Sequence, residues 1–361
     1  MTAPEIRTVA IIGAGTMGAG IAITAVTSGN PVVLIDRSEN ALSRAEKRLD
    51  NYLARAVDKG RMAPEAAGLT RMLMRCDTNL AAAADAHLVI EAVFEKLEVK
   101  TGLLTRLEPL LTTDCLIATN TSCLRVSDIA NALTRPERFF GLHYFSPAEV
   151  NRLVEVVSGE ATAPEVIDRV RPFLERTGKI ALACRDQSGF AVNRYFCPYV
   201  NEAVRCMEDG LGTPCQIDDI AKKTFGLPLG PFATTNIVGA SVMLHALKNL
   251  SHLGPFYAPS DSLQSLAERN ATWTFCADAV PLTDTDAEKI AERLLAAFFL
   301  PLSELLDEGV ATPEDVDLGA RHALRLDTSP AAEWLSLSPN AQNLRIRPMM
   351  KFQKIQRKDI T

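Results

Sequence analysis

Residues 8–26 read TVAIIGAGTMGAGIAITAV. The run from Thr8 to Ile12 is short, apolar and β-branched, as in a strand covered on both faces. It passes directly into glycines, and nothing after Gly20 breaks a helix, so the stretch predicts a strand, a tight turn and a helix. Gly13, Gly15 and Gly18 have the Gly-x-Gly-x-x-Gly spacing. In such a turn the first glycine permits the bend, the second lets a pyrophosphate approach the backbone, and the third lets helix pack on strand. Free N–H groups at the helix start, helped by the helix dipole, hold the phosphate charge. The loop Gly13, Gly15, Thr16, Met17 and Gly18 is therefore a candidate dinucleotide cradle.

A glycine turn alone carries little weight, and its context decides the reading. A second apolar strand, PVVLID, ends at Asp36, 23 residues after Gly13. A carboxylate there accepts hydrogen bonds from the adenosine ribose and repels a 2′-phosphate, which points to NAD over NADP despite the neighbouring Arg37. Beyond an Arg- and Lys-rich helical stretch, the apolar segments HLVIEAVF, CLIATNTS and FFGLHYF alternate with helical patterns. This alternation predicts an α/β Rossmann-type N-terminal domain with a parallel doubly wound sheet, ligands lying at the carboxyl ends of its strands. Polar residues gather at those ends: Glu95 after the first segment, Asn120, Thr121 and Ser122 closing the second, His143 within the third.

Composition narrows the function classes. With 38 Lys+Arg against 44 Asp+Glu the net charge is −6, so the basic excess needed for a nucleic-acid or anionic-membrane surface is missing. The eight cysteines contain no Cys-x-x-Cys pair and sit mostly in apolar surroundings, as expected of buried thiols in a reducing compartment; no metal site is expected. The N-terminus lacks the pattern of a signal peptide, and no apolar run nears the roughly 18 residues of a membrane span. The expectation is a cytoplasmic protein without nucleic-acid or membrane partners.

Among the five histidines, His143 stands apart. It lies between an apolar strand and a proline turn in GLHYFSPAEVNRLVEVV, with Glu155 twelve residues later in a second strand-like run. Strands joined by that turn would bring imidazole and carboxylate together, and a carboxylate that fixes a histidine tautomer makes a general base. Spacing alone leaves a core histidine and a solvated glutamate as the alternative.

The motifs GAGTMGAGIA, VIEAVFEKLEVK, ATNTSCL, GLHYFSP with LVEVV, SGFAVNR and GLPLGPF, together with Asp36, stand in one order. In that order the chain, from about residue 8 to about residue 270, resembles the L-3-hydroxyacyl-CoA dehydrogenases of fatty-acid β-oxidation. The resemblance implies hydride transfer between NAD and C3 of a 3-hydroxyacyl thioester, with His143 as acid–base and Glu155 orienting it. It further implies that Ser122 contacts the substrate hydroxyl and thioester region, and that Asn193 lies beside the histidine. Glu95 and Lys100 would line the nicotinamide side of the cofactor, and Lys59 would meet the phosphates of coenzyme A.

Departures from the family pattern bear on the substrate. Ser146 stands where the family has asparagine, changing one contact near the nicotinamide, and Tyr52 replaces a small polar residue near the coenzyme A adenine. Relatives acting on acyl groups tethered to an acyl carrier protein form a second reading, and the kept Lys59 favours coenzyme A. A non-catalytic NAD-binding structural or regulatory protein is a third. It would have no reason to keep His143, Glu155, Ser122 and Asn193 together.

From Ser188 onward the pattern is helical and repeats. NEAVRCMEDGLGTPCQIDDI at 201–220 aligns with LPLSELLDEGVATPEDVDLG at 300–319, a shift of 99 residues. Each copy ends a helix at glycine and starts the next at Thr-Pro. The expected division is an NAD-binding domain over residues 1–187, a first helical repeat over 188–290, and a second repeat with a basic tail over 291–361. The resemblance implies a free-standing dehydrogenase whose second repeat covers surface that a partner subunit would otherwise cover, leaving monomer or homodimer open. The tail basic residues Arg345, Arg347, Lys351, Lys354, Arg357 and Lys358 read as a solvated run.

Overall fold

The opening apolar run folds as strand β1 (Val9–Ile12), buried at every position, and leads through the glycine turn into helix α1 (Thr16–Thr27). The computed structural model describes residues 5–275 and 281–353, so Cys276, Lys354, Arg357 and Lys358 lie outside the described residues. The chain forms two units, Met1–Asp186 and Gln187–Thr361.

In the first unit there follow β2 (Val32–Ile35), α2 (Glu39–Asp58), α3 (Pro64–Met72), β3 (Met74–Asp77), β4 (Leu88–Glu91) and α4 (Leu97–Leu107). The unit continues with β5 (Leu116–Thr119), α5 (Val126–Ala130), β6 (Phe139–Tyr144), β7 (Leu153–Ser158), α6 (Pro164–Arg176) and β8 (Ile180–Arg185). The strands make one sheet in the order β3-β2-β1-β4-β5-β6-β7-β8. All neighbours are parallel except β6 and β7, whose connecting loop is too short for a crossover helix and returns the chain antiparallel. Side chains such as Ile11, Leu34, Ile90 and Phe140, each 0 % exposed, pack the core against the helices. The edge strands β3 and β8 are buried only in part; β3, MRCD, lacks a continuous apolar run and is invisible to a search for one, whereas β8 carries the run IALAC.

Helix α2 sets a surface as well as a core. Ser38 caps it by accepting from the Ala41 N–H, and Ala41, Leu42, Ala45, Leu49 and Leu53 turn one stripe inward. Its arginines and lysines are thereby left on the outward face.

The second unit is helical: α7 (Val192–Glu208), α8 (Pro214–Phe225), α9 (Pro231–Val238), α10 (Ala240–Leu250), α11 (Asp261–Glu268), α12 (Asp284–Asp307), α13 (Pro313–Ala323), α14 (Pro330–Ser336) and α15 (Pro339–Ile346). The 99-residue shift carries the start of α8 onto that of α13 and the start of α9 onto that of α14. It also carries the caps: Thr213 and Thr312 each accept from the backbone N–H three residues on. The Asp218 carboxylate accepts from the Phe232 and Ala233 N–H groups, and Asp317 does the same for Ala331 and Ala332. Helices α7 and α12 pack on each other across ion pairs that obey the same shift. Arg194 meets Glu308 at 2.6 Å, and Arg293 meets Asp209 at 2.5 Å. Arg293 also pairs with the wholly buried Glu202 at 2.5 Å.

Among the described residues no helix is long and apolar enough to cross a membrane. Burial pushes the Cys115 thiol up to about 11 and the Cys206 thiol up to about 12, so neither is a ready nucleophile.

Candidate active site

The antiparallel register of β6 and β7 sets His143 directly opposite Glu155. Residues opposite one another in such a pair project to the same face, so imidazole and carboxylate meet. Nδ1 of His143 lies 2.6 Å from Oε2 of Glu155, and the two side chains are 6 % and 0 % exposed. A carboxylate oxygen only accepts, so the proton of the neutral ring belongs on Nδ1 and the lone pair on Nε2. That is the tautomer of a general base. Phe145 packs against the imidazole with ring centroids 4.6 Å apart.

The neighbouring strand ends hold this pair in place. Asn120, at the end of β5, accepts from the Tyr144 N–H through its side-chain oxygen at 2.8 Å, tying β5 to the end of β6. On the far side of the loop between β6 and β7, the Lys179 ammonium donates to the carbonyls of Ala148 and Asn151 at 2.5 and 2.7 Å. Burial lowers the Lys179 ammonium to about 8 against the pull of Glu149. Ser146 is exposed in the same loop.

At the carboxyl end of β1 the residues fit a dinucleotide. Gly13 has φ +107, and a Cβ on it would lie 2.6 Å from the Ala92 carbonyl oxygen. A Cβ on Gly18 would fall 1.8 Å from the Gly13 oxygen, so only glycine lets α1 sit this close to the turn. Gly15, by contrast, faces open space and caps the amino end of α1, where Thr16 and Met17 begin the helix. Asp36 accepts from the Ala14 N–H at 2.7 Å and from the Ser38 N–H at 2.9 Å, bracing turn and α2 together. Each carboxylate oxygen can accept more than one bond, which leaves capacity for a ribose hydroxyl.

Ser122 follows β5 in a loop gripped by Glu95. One Glu95 oxygen accepts from the Thr121 hydroxyl at 2.5 Å, the Ser122 N–H at 2.9 Å and the Cys123 N–H at 3.1 Å. Burial alone would raise the Glu95 carboxyl, but the Lys100 ammonium and the Thr121 and Ser122 donors outweigh it and hold it below the usual carboxylate range. Lys100 is wholly buried between Glu95 and Glu91. Glu91 shows in the sequence only as a carboxylate ending the apolar run LVIE.

The remaining residues are carried on α2 and α7. Lys59 is exposed at the carboxyl end of α2, with Tyr52 half-buried seven residues before it. Arg48, which the sequence presents only as one of several basic residues on α2, donates to the Thr16 carbonyl at 2.7 Å and pairs with Glu149 at 2.7 Å. Asn193 is the second residue of α7, in the other unit.

Comparison with known proteins agrees with these observations. The family profile of the 3-hydroxyacyl-CoA dehydrogenase NAD binding domain matches residues 8–187, and that of the 3-hydroxyacyl-CoA dehydrogenase C-terminal domain matches residues 189–272. The chain is 41 % identical over 238 residues to the 3-hydroxyadipyl-CoA dehydrogenase of Escherichia coli K12, a match covering 66 % of this chain and half of that protein. It is 35 % identical over 274 residues to the mitochondrial hydroxyacyl-coenzyme A dehydrogenase of Sus scrofa, covering 73 % of this chain and 87 % of that one. The crystal structure of a 3-hydroxybutyryl-CoA dehydrogenase from Escherichia coli K12 superposes with a TM-score of 0.86 at 26 % identity, covering 96 % of this chain and 95 % of that one. With a glycine cradle that accepts NAD, a carboxylate-held histidine, and these matches along both units, the chain belongs to the 3-hydroxyacyl-CoA dehydrogenases, a family of NAD-dependent oxidoreductases.

Proposed function

We propose that this chain interconverts a 3-hydroxyacyl thioester and its 3-oxo form, with His143 as acid–base and coenzyme A as the acyl carrier. The observation that carries the reading is the buried His143–Glu155 pair at 2.6 Å at the carboxyl end of a dinucleotide-binding sheet. Oxidation of a secondary alcohol takes a hydride from carbon and a proton from oxygen, and bound NAD supplies the hydride acceptor. Nε2 of His143 takes the proton, and Glu155 stabilises the imidazolium that results. In the reverse direction the same nitrogen returns the proton to the new alkoxide. The Ser122 hydroxyl and the Asn193 amide are the groups we assign to orienting the alcohol and carbonyl oxygens. Asp36, the loop from Gly13 to Gly18, Glu95 and Asn120 frame the cofactor.

Coenzyme A is favoured by the outward face of α2. Arg44, Lys47, Arg48, Tyr52 and Arg55 line a cleft of about 300 Å³ bordered by Glu149. Lys59 stands two helical turns beyond Tyr52, on the same face. Four cations and an aromatic ring suit an adenosine bearing phosphates, which a carrier-bound phosphopantetheine lacks. Replacing Lys59 and Arg55 by alanine together should raise KM for acetoacetyl-CoA about tenfold and leave that for acetoacetyl-pantetheine near the wild-type value. Equal KM values for both thioesters in wild type and variant would favour the carrier-protein reading. Failure of the wild type to oxidise NADH with either would sink the proposed chemistry.

The repeat supports a further part of the reading. Because α12 packs on α7, we expect the second repeat to stand in for a partner subunit, so that the protein is a monomer in light scattering. A tight dimer assembled through the first repeat would contradict this.

A further inference from the structure

We propose that Lys100, seated on Glu91, is a positioning residue that fixes Glu95 so that Glu95 can fix the loop presenting Ser122. The proposal rests on the reading of Ser122 as a substrate-contacting residue.

The geometry leaves Lys100 little else to do. Its side chain is 0 % exposed, and its ammonium lies 2.8 and 3.0 Å from the two oxygens of Glu91. A third carboxylate oxygen, Oε2 of Glu95, lies at 3.2 Å. An ammonium has three donors, and these three oxygens use them all. Glu91 is itself fully engaged. One oxygen also accepts from the Val93 N–H at 2.7 Å, and the other from the Thr119 hydroxyl at 2.6 Å. The register of β4 on β5 pairs Glu91 with Thr119, so the base of the network is built into the sheet.

Two carboxylates share one ammonium, and the uncompensated charge resides on Glu95, whose side chain is 27 % exposed. Glu95 directs it at donors from three successive residues, Thr121, Ser122 and Cys123. A loop without regular structure is thus held by a charge-assisted anchor, which is stronger than a neutral one. The line of support runs from sheet to Glu91, to Lys100, to Glu95, to Ser122. Removing the lysine would leave the buried Glu91 and the partly buried Glu95 without a counter-charge and favour their protonation, and a neutral Glu95 grips backbone donors less well.

The test compares wild type with Lys100→Met and Glu95→Gln, the second keeping the shape of the anchor should the first fail to fold. Amide hydrogen exchange at Ser122 and Cys123 should accelerate about tenfold or more in either variant. Turnover of acetoacetyl-CoA should fall about 10- to 100-fold through kcat, as small misplacements of orienting groups do. Exchange is followed without NADH, so that cofactor contacts of Glu95 or Lys100 do not enter that readout. Unchanged exchange with an NADH affinity lost in step with turnover would overturn the proposal and make Lys100 a cofactor contact. Unchanged exchange and turnover together would overturn it as well. A wild type without turnover would instead remove the proposed chemistry, while exchange at the loop would still report on the anchor.

Discussion

Replacing His143 by alanine is expected to lower kcat for NADH-dependent reduction of acetoacetyl-CoA by about 10²- to 10⁴-fold, the usual contribution of a positioned proton transfer. NADH binding should persist, because the glycine turn and Asp36 are built from β1, α1 and β2 and make no use of the histidine. The size of the effect follows from the pairing at 2.6 Å with a carboxylate that is itself 0 % exposed. Glu155→Gln gives the sharper control. An amide facing Nδ1 carries no negative charge to stabilise the imidazolium that delivers the proton in this direction, so turnover should fall with little change in shape. Measured in steady state at saturating NADH, turnover of His143→Ala within a few-fold of wild type would remove His143 from the chemistry.

The largest effect on stability is expected from Arg293→Leu. Its guanidinium is nearly enclosed and meets Glu202, which is 0 % exposed, and Asp209. Its removal leaves the buried Glu202 held by Arg205 alone, at 3.3 Å, and a buried pair that loses one partner is destabilised by about 3–5 kcal/mol. For a unit of about 175 residues this corresponds to a fall in Tm of about 6–20 °C. The double variant Arg293→Leu with Glu202→Gln should recover part of the loss, since the stranded carboxylate is then gone. Arg194→Leu should cost less, because its partner Glu308 is 45 % exposed and can return to water. Thermal unfolding followed by circular dichroism ranks the three. An Arg293→Leu protein as stable as wild type would show that the ion pairs between the repeats contribute nothing.

Much of this molecule is legible in its residues because the decisive signals are local. The turn from Ile12 to Gly18 declares itself by three glycines after a β-branched run. The His143–Glu155 meeting follows from two short strands and one loop, where an antiparallel return fixes the register. What stays hidden depends on strands distant in sequence becoming neighbours. Glu91 reads as the polar end of an apolar strand until β5 is laid beside β4 and Thr119 comes opposite it. Lys100 carries no local sign of its partners, and only the fold shows that α4 turns it inward onto two carboxylates. Lys179 has no local partner at all; its acceptors lie about 30 residues earlier, at Ala148 and Asn151.

The ion pairs between α7 and α12 have a consequence in terms of symmetry. Arg194 with Glu308 and Arg293 with Asp209 exchange under one shift, so the two helices meet as copies do across a two-fold axis. In a homodimer every substitution on such an axis appears twice, and both halves must tolerate it. Here the halves belong to one chain and each position changes alone. The shift that carries Arg194 onto Arg293 carries Asn193 onto Glu292. The second copy has kept the arginine that binds the halves together and has a different residue where the first carries its amide. Joining the copies in one chain lets one of them change at this position while the interface between them stays.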